Sequence, residues 1–382
     1  MNRVAIVGMG YSGFYAPSPD LSFREMIFKA AQRAYEDAGN INPRRDVDAF
    51  ISCQEDFWEG IAIANEFMPE QLGGVLKPGF TVPGDSLQCL LNAYAMIRTG
   101  RFNIVVVESH GKPSEINTLD SIVMFSYDPL YIRPIEPRNI YFLNAIEARA
   151  FMERENISKE VLGHYVINSL KKGLKNPRAS YARTKSLGSY LNEEFVVEPL
   201  SDSDIAPLTD AAVVAVVASE EIAKKLTDAP VWIDGIWTAS GTSTAMYEDL
   251  SFDYIAREAG TKVFEVSNIR NPRREIDVLE IDERFSYIPL MVLKALNISS
   301  NIREDIQSNV FDVSSEILLN PFGGALSEGN PLEAHGITRV LIAYEQLKGL
   351  RRVRGARDPE RILVHSRRWP FPRTTTIALL SR

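Results

Sequence analysis

Asn42-Pro43-Arg44-Arg45-Asp46-Val47-Asp48 returns far down the chain as Asn271-Pro272-Arg273-Arg274-Glu275-Ile276-Asp277. The differences are Asp46 against Glu275 and Val47 against Ile276. Each copy follows a stretch of helical period with an Ala-Gly pair near its end, Ala38-Gly39 and Ala259-Gly260. Each leads into a short apolar run, Ala49 to Ser52 and Val278 to Ile281, the kind of strand that is buried on both faces. A helix–loop–strand unit repeated at such a distance predicts two similar halves in one chain. The length of 382 residues agrees, because it exceeds what one apolar core usually organises.

Outward from the first copy, Val4 to Val7 reads as a buried strand followed by Gly8-Met9-Gly10-Tyr11-Ser12-Gly13. The spacing fits GxGxxG, but a dinucleotide site needs a helix to open within that loop. Pro17 and Pro19 follow instead, and the next helix starts near Ser22. A glycine-rich turn after a core strand is therefore expected. Ser22 to Ala38 sets Met26, Ile27, Ala30 and Ala34 on one helical face. Gly84 to Gly100 does the same with Leu87, Leu90, Leu91, Tyr94 and Ile97, Asp85 or Ser86 capping its start. Ile104 to Val107 is again an apolar strand, so strands and helices alternate and the class is α/β.

Residues 112–207 are less regular and rich in aromatics and prolines, with helices near Asn139 to Arg154 and Ser158 to Lys172. They read as an insertion covering one face of the first half. The expected division is 1–111 with 208–228 as the N-terminal half, 112–207 as the inserted domain and 229–382 as the C-terminal half. The second half ends in a helix after Pro331 and strands Ile362 to Ser366 and Thr374 to Leu380.

Composition narrows the function classes. A net charge of -8 argues against a nucleic-acid surface, and no apolar run is long enough to span a bilayer. Met1 leads straight into the first strand, so no leader peptide is expected. Two cysteines, Cys53 and Cys89, exclude a disulfide framework, predict a cytoplasmic setting and read as core residues. Four scattered histidines show no metal-ligand spacing.

Several stretches, in order, resemble the thiolase family of the archaeal and sterol-carrier type. They are Val4 to Gly8, Ala93-Tyr94-Ala95-Met96-Ile97-Arg98-Thr99-Gly100, Leu174-Lys175-Asn176-Pro177, Asp277 to Phe285, Asn320-Pro321-Phe322-Gly323-Gly324 and Gly329-Asn330-Pro331. The resemblance implies a thiolase fold: two similar βαβαβαββ halves in a five-layer α/β/α/β/α sandwich, with an inserted loop domain. It also implies acyl-CoA as ligand, carbon–carbon bond chemistry on CoA esters, and a homodimer or homotetramer. No metal and no tightly bound cofactor are implied. Gly323, Gly324, Arg367 and Arg368 are the expected contacts to a CoA thioester.

The catalytic positions depart from the family's pattern. Thiolase chemistry needs a thiolate at a helix N-terminus; counting back from Ala93 puts Pro83 there, with Cys89 about two turns into the helix. The Asn or His after the second-half strand becomes Asp282, a carboxylate that would repel an oxyanion and otherwise reads as a solvated strand-end acid. The Gly-His-Pro histidine becomes Asn330, which with Glu333 also fits an N-cap and capping box. The final Gly-rich loop becomes His365-Ser366-Arg367-Arg368-Trp369-Pro370-Phe371-Pro372-Arg373. His365 reads as structural. Tyr287, two residues past Phe285, stands near the mouth a thiolase would use, where thiolase-like aldolases that lack the cysteine suggest an acid–base role; Glu283 lies beside it. The plainer reading of Tyr287 is a packed helix aromatic. His335 shares the helix after Asn330, His110 and Glu108 follow a core strand, and His164 reads as surface or packing. Arg351, Arg352, Arg354, Arg357, Arg361, Arg367, Arg368 and Arg373 make the C-terminal segment basic, fit for CoA phosphates or an acidic partner, or simply a solvated loop.

Three readings follow. The chain is a non-catalytic or altered acyl-CoA-binding subunit that pairs with an active thiolase or an OB-fold partner. It is an aldolase-type carbon–carbon lyase on a CoA thioester, with Tyr287, Asp282 or Glu283 lining a cavity that Trp369 and Phe371 would otherwise fill. Or it is a true acyltransferase with an unrecognised nucleophile such as Cys89.

Overall fold

The computed structural model describes residues 3–15, 18–55, 64–135, 139–312, 315–370 and 373–382; Pro17, Phe371 and Pro372 lie outside them. Ten strands form the main sheet: β1 (Val4–Tyr15), β2 (Ala49–Cys53), β3 (Gly79–Val82), β4 (Ile104–Gly111), β5 (Asp210–Ser219), β6 (Val231–Ser240), β7 (Val278–Ile281), β8 (Leu318–Leu319), β9 (Arg361–Arg367) and β10 (Thr374–Ser381). Their order is β8-β7-β9-β10-β6-β1-β5-β4-β2-β3. The two halves meet where β1 pairs antiparallel with β6 through Ala5–Trp232 and Ile6–Val231. Outward from that junction each half repeats the same pairing. β5 and β10 are antiparallel to their neighbours, and β2 and β7 run parallel between β4 and β3 or between β9 and β8.

Seven helices matter for the site: α1 (Phe23–Asp37), α2 (Ser86–Arg98), α3 (Phe142–Glu155), α4 (Lys159–Gly173), α5 (Tyr254–Ser267), α6 (Tyr287–Ala295) and α7 (His335–Leu347). Apolar residues of α2 and α7 share one core with residues from strands of both halves, such as Val107, Val213, Val364 and Leu380. Helix α1 closes the outer face of the first half, and α5 and α6 that of the second. The result is the expected five-layer α/β/α/β/α arrangement. No helix among the described residues is long and apolar enough to cross a membrane.

The repeated heptapeptide does the same work twice. Asn42 N–H donates to Asp46 Oδ2 at 2.8 Å, and Asn271 N–H to Glu275 Oε1 at 2.6 Å. Asp48 Oδ2 accepts from the backbones of Asn103 (2.6 Å) and Ile104 (3.1 Å) at the start of β4. Asp277 Oδ2 accepts from Glu360 (2.8 Å) and Arg361 (2.9 Å) at the start of β9. One carboxylate in each half thus fixes where the neighbouring strand begins.

Three expectations need correction. The Gly8–Gly13 stretch is not a turn but the middle of β1. Its glycines let α1 approach, since a Cβ on Gly8 would stand 2.4 Å from the Ala34 carbonyl and one on Gly10 2.2 Å from that of Ala30. The insertion covers chiefly the second half, where Leu143, Phe151 and Val166 join one core with Phe285, Tyr287 and Leu326, while Lys112, Arg178 and Ser180 also reach β5 and β1 of the first. Cys53 and Cys89 are both fully buried, as a core reading requires, but they are joined in a disulfide with Cα atoms 5.9 Å apart.

Charge-assisted hydrogen bonds contribute about 1.5–3 kcal/mol each. Asp48→Ala and Asp277→Ala are therefore each expected to lower the thermal midpoint by several degrees, whereas Asp→Asn, which keeps the acceptor oxygen, loses less. Thermal denaturation of the four variants checks this, and equal losses for Ala and Asn would contradict it.

Candidate functional site

Four segments converge at the C-terminal ends of β7 and β9: the first turn of α2, residues 282–286, the turn before α7 and the β9–β10 loop. Asp85 caps α2, its Oδ1 accepting from Leu87 N at 3.0 Å. Its Oδ2 accepts from Ser366 Oγ at 2.7 Å and lies 3.9 Å from the Arg284 guanidinium. A Cβ on Gly336 of α7 would stand 2.1 Å from Asp85 Oδ1, so only glycine lets the two central helices meet there. Burial raises the Asp85 pKa to about 7, against the pull of Arg284.

Asp282 is not the solvated acid expected from sequence. It is wholly buried and bound by Arg284 Nη2 at 2.6 Å, by the Arg284 and Arg367 backbones at 2.9 and 3.3 Å, and approached by His335 Nε2 at 3.3 Å. Burial works to raise its pKa, but Arg284 and His335 outweigh it and hold the carboxyl well below its usual range. His335 and His365 are fully buried too, and burial lowers both to about 4. Glu283 points the other way, into α4, accepting from Tyr165 Oη, Ser169 Oγ (2.7 Å) and Leu326 N (3.2 Å); burial raises its pKa. It borders a crevice of about 20 Å³ with Lys172 and Asn320.

A second cluster lies under the inserted domain. Tyr287 is buried rather than at a mouth. Its Oη donates to Glu147 and accepts from Arg367 Nη2 (3.0 Å) and Asn144 Nδ2 (3.3 Å). Burial and the Glu147 charge push its pKa well above the usual tyrosine range. Glu147 also takes both terminal nitrogens of Arg367, at 3.1 and 2.7 Å, and Arg373. Trp369 packs on Tyr141 and Phe285.

The remaining sequence candidates fall as follows. Pro83 is exposed, just before the α2 cap. Asn330 is no capping-box residue: α7 starts at His335, and Asn330 Oδ1 instead accepts from Leu332 N at 3.1 Å while its backbone pairs with Pro207 and Thr209. Gly323 and Gly324 are pressed against Gly173 and the Glu283 carboxylate, where a Cβ would come within 2.8 Å and 2.1 Å of these neighbours. Arg367 and Arg368 do not form a solvated basic loop, since each pairs with an acid inside the protein, Glu147 and Glu55. Arg351 likewise pairs with Glu345, whereas Arg352 and Arg357 reach Asp358 and Asp277 from the surface and, with Arg354 and Arg361, are exposed as a solvated loop would be. His110 sits 2.8 Å from Glu108, and His164 is exposed on α4. Asp85 was anticipated only as the helix cap, which it is, and Asn144, Glu147 and Ser366 were not anticipated as site residues, because only folding brings them together. Arg284 carried a readable signal: a carboxylate at a neutral family position is matched two residues on by a guanidinium.

No protein-family model matches the chain. It is 24% identical to an acetyl-CoA acetyltransferase of Methanothermobacter thermautotrophicus, over 93% of this chain and 94% of that one. It is 23% identical to sterol carrier protein 2 of Gallus gallus, over 93% of this chain and 68% of the relative. These likenesses support the thiolase superfamily for this chain. Among solved structures, this thiolase-like chain superposes on the Ltp2–ChsH2 aldolase with a TM-score of 0.84, at 21% identity over 99% of this chain and 97% of that one. The acetyl-CoA acetyltransferase from Syntrophomonas wolfei gives 0.76 at 16% identity, over 100% and 99%.

The Asp85 pKa gives a test with a definite sign. A carboxyl whose folded pKa is raised to about 7 is an energetic cost that grows as pH rises from about 4 through 7, where the unfolded chain ionises first. Asp85→Asn keeps a capping oxygen and removes that cost. It is expected to be more stable than wild type at pH 8, with the difference shrinking towards pH 4; parallel pH–stability curves for the two proteins would contradict this.

Proposed function

We propose that this thiolase-like chain is an acyl-CoA-handling subunit that works without a cysteine nucleophile and beside a partner subunit. One observation carries the reading: the chain's two sulfurs, Cys53 and Cys89, are buried and joined to each other. Pro83 stands at the position that the resemblance gives to the family's thiolate, and two residues on the Asp85 carboxyl caps α2. A carboxylate there cannot form the acyl-sulfur bond of a thiolase cycle, and Asp282, paired with Arg284, is not an oxyanion donor. Arg367 and Arg368 act inside the protein in this reading, not on CoA phosphates. The two-component name of the Ltp2–ChsH2 aldolase supports a partner, and an OB-fold subunit is the kind we expect, with the chain itself a homodimer or homotetramer.

A second reading is favoured by the Tyr287–Glu147–Asn144 cluster and by the TM-score of 0.84 to an aldolase. In an aldolase-type lyase the β-hydroxyl of a hydroxyacyl-CoA loses its proton to a base, the Cα–Cβ bond breaks, and the resulting thioester enolate takes up a proton. Tyr287, which carries its proton at neutral pH, is the group that would supply it in that last step. Of the other candidates Asp282 reaches this cluster through the Arg367 backbone, while Glu283 points into α4 and Asn330 stays on the turn before α7.

Purified protein is expected to bind CoA in calorimetric titration, to show no thiolysis of acetoacetyl-CoA with or without reductant, and to give no acyl adduct on Cys89 by mass spectrometry. Thiolysis that disappears in Cys89→Ala would overturn the reading. Cleavage of a 3-hydroxyacyl-CoA that is lost in Tyr287→Phe, with CoA affinity retained, would establish the lyase reading over the non-catalytic one.

A further inference from the structure

The two halves share a corner that only one of them fills. Helices α1 and α5 are each followed by an asparagine in the left-handed region, Asn40 at φ 60° and Asn268 at φ 57°. The isoleucine after it donates its N–H back to the carbonyl of an aromatic residue, Ile41 to Tyr35 at 3.2 Å and Ile269 to Phe264 at 2.9 Å. The repeated Asn-Pro-Arg-Arg comes next, so Arg44 and Arg273 are counterparts. In the second half the corner is occupied. Arg273 Nη1 donates to the Ile298 carbonyl at 3.0 Å and to Asp305 Oδ2 at 3.2 Å, and its guanidinium lies 5.9 Å from the centre of the Phe311 ring. Ser299 Oγ holds the same Asp305 oxygen at 2.7 Å. Ile302 and Ile306, on the short helix Ile302–Gln307, are buried with Phe311 in the core of that half.

The first half has less chain at this corner. Residues 54–78 join β2 to β3, where 282–317 join β7 to β8, and the short helix here is only Pro69–Leu72. It closes on the loop at Pro43, whose Cγ would stand 2.7 Å from a Cβ on Gly73, and the Leu72 carbonyl accepts from Tyr35 Oη at 2.7 Å. Beside it a groove of about 500 Å³ stays open, walled by Phe28, Tyr35, Ile41 and Pro43, with Arg44 and Glu70 among its polar residues. Phe28 is 47% exposed there. The exposed Arg44 guanidinium has no hydrogen-bond or ion-pair partner among the described residues.

We propose that this groove receives a segment of another polypeptide that does for Arg44 what residues 298–311 do for Arg273: a short amphipathic helix with an acid set against the guanidinium and an aromatic side chain packed on Phe28 and Ile41. The second half shows the occupant's chemistry, because the same arginine on the same loop is met there by a carbonyl, a carboxylate and a ring. Glu70 adds a demand for a cation, and Arg303 stands beside the acids of the second-half segment in the same way. The occupant is a separate chain rather than a second copy, whose own segment is already held with Ile302, Ile306 and Phe311 buried. The surface follows from comparing the halves and stands whether or not the chain handles acyl-CoA.

The probe is a fluorescein-labelled synthetic peptide of residues 299–312, titrated into the full-length protein and followed by fluorescence anisotropy. Saturable binding with a submillimolar Kd is expected. Arg44→Glu in the protein, or Asp305→Arg in the peptide, is each expected to weaken it about tenfold, because like charges are then brought together. The two reversals combined are expected to restore it. Arg44 is exposed, so its variant keeps the fold, and the Asp305→Arg arm uses wild-type protein in any case. No saturable binding, binding that either reversal leaves unchanged, or no recovery in the combined pair overturns the proposal. Indifference to Arg44→Glu alone would place the peptide at Arg273 or elsewhere, and it counts in the same way.

Discussion

Glu147 has no contact with water, and three side chains from two distant segments, Arg367, Arg373 and Tyr287, converge on its carboxylate. Taking a carboxylate and two guanidinium groups out of water is costly, and only near-complete mutual pairing offsets it; removing one partner of such a group typically costs about 3–5 kcal/mol. The inserted domain, the β9–β10 loop and the start of α6 therefore keep one arrangement or none. Trp369, Asn144 and Phe285 inherit their positions from that constraint.

The same rule governs the centre of the molecule. Asp282 is tolerated between the two halves because Arg284, the Arg367 backbone and His335 surround it. Asp85 is less fully compensated, with one hydroxyl, one backbone N–H and a guanidinium 3.9 Å away, and it retains its proton to near neutral pH. Two acids a short distance apart thus differ in protonation through their partners alone. At the centre of this chain the buried charge of Asp282 is already neutralised by its partners.

Much of the framework was legible in the chain itself. The repeated Asn-Pro-Arg-Arg unit foretold two halves because its residues act locally: the asparagine binds an acid four residues on, and the final aspartate binds the next strand's first N–H groups. Helical period located α1 and α2 for the same reason, since spacing along a helix decides which side chains share a face. Where the Gly8–Gly13 stretch lay was misjudged, because a glycine needed for helix approach and a glycine needed for a turn look alike in sequence.

The amino-acid sequence by itself determined the α/β class and the duplication, both of which depend on residues close together in the chain. Tertiary structure alone decided that Cys53 meets Cys89, that the insertion serves chiefly the second half, and that the buried Asp282 and Arg367 and the half-buried Arg368 are paired rather than solvated charges. Those outcomes rest on contacts between segments far apart in sequence, and whether a charged side chain meets water or a counter-ion is set by what folds over it.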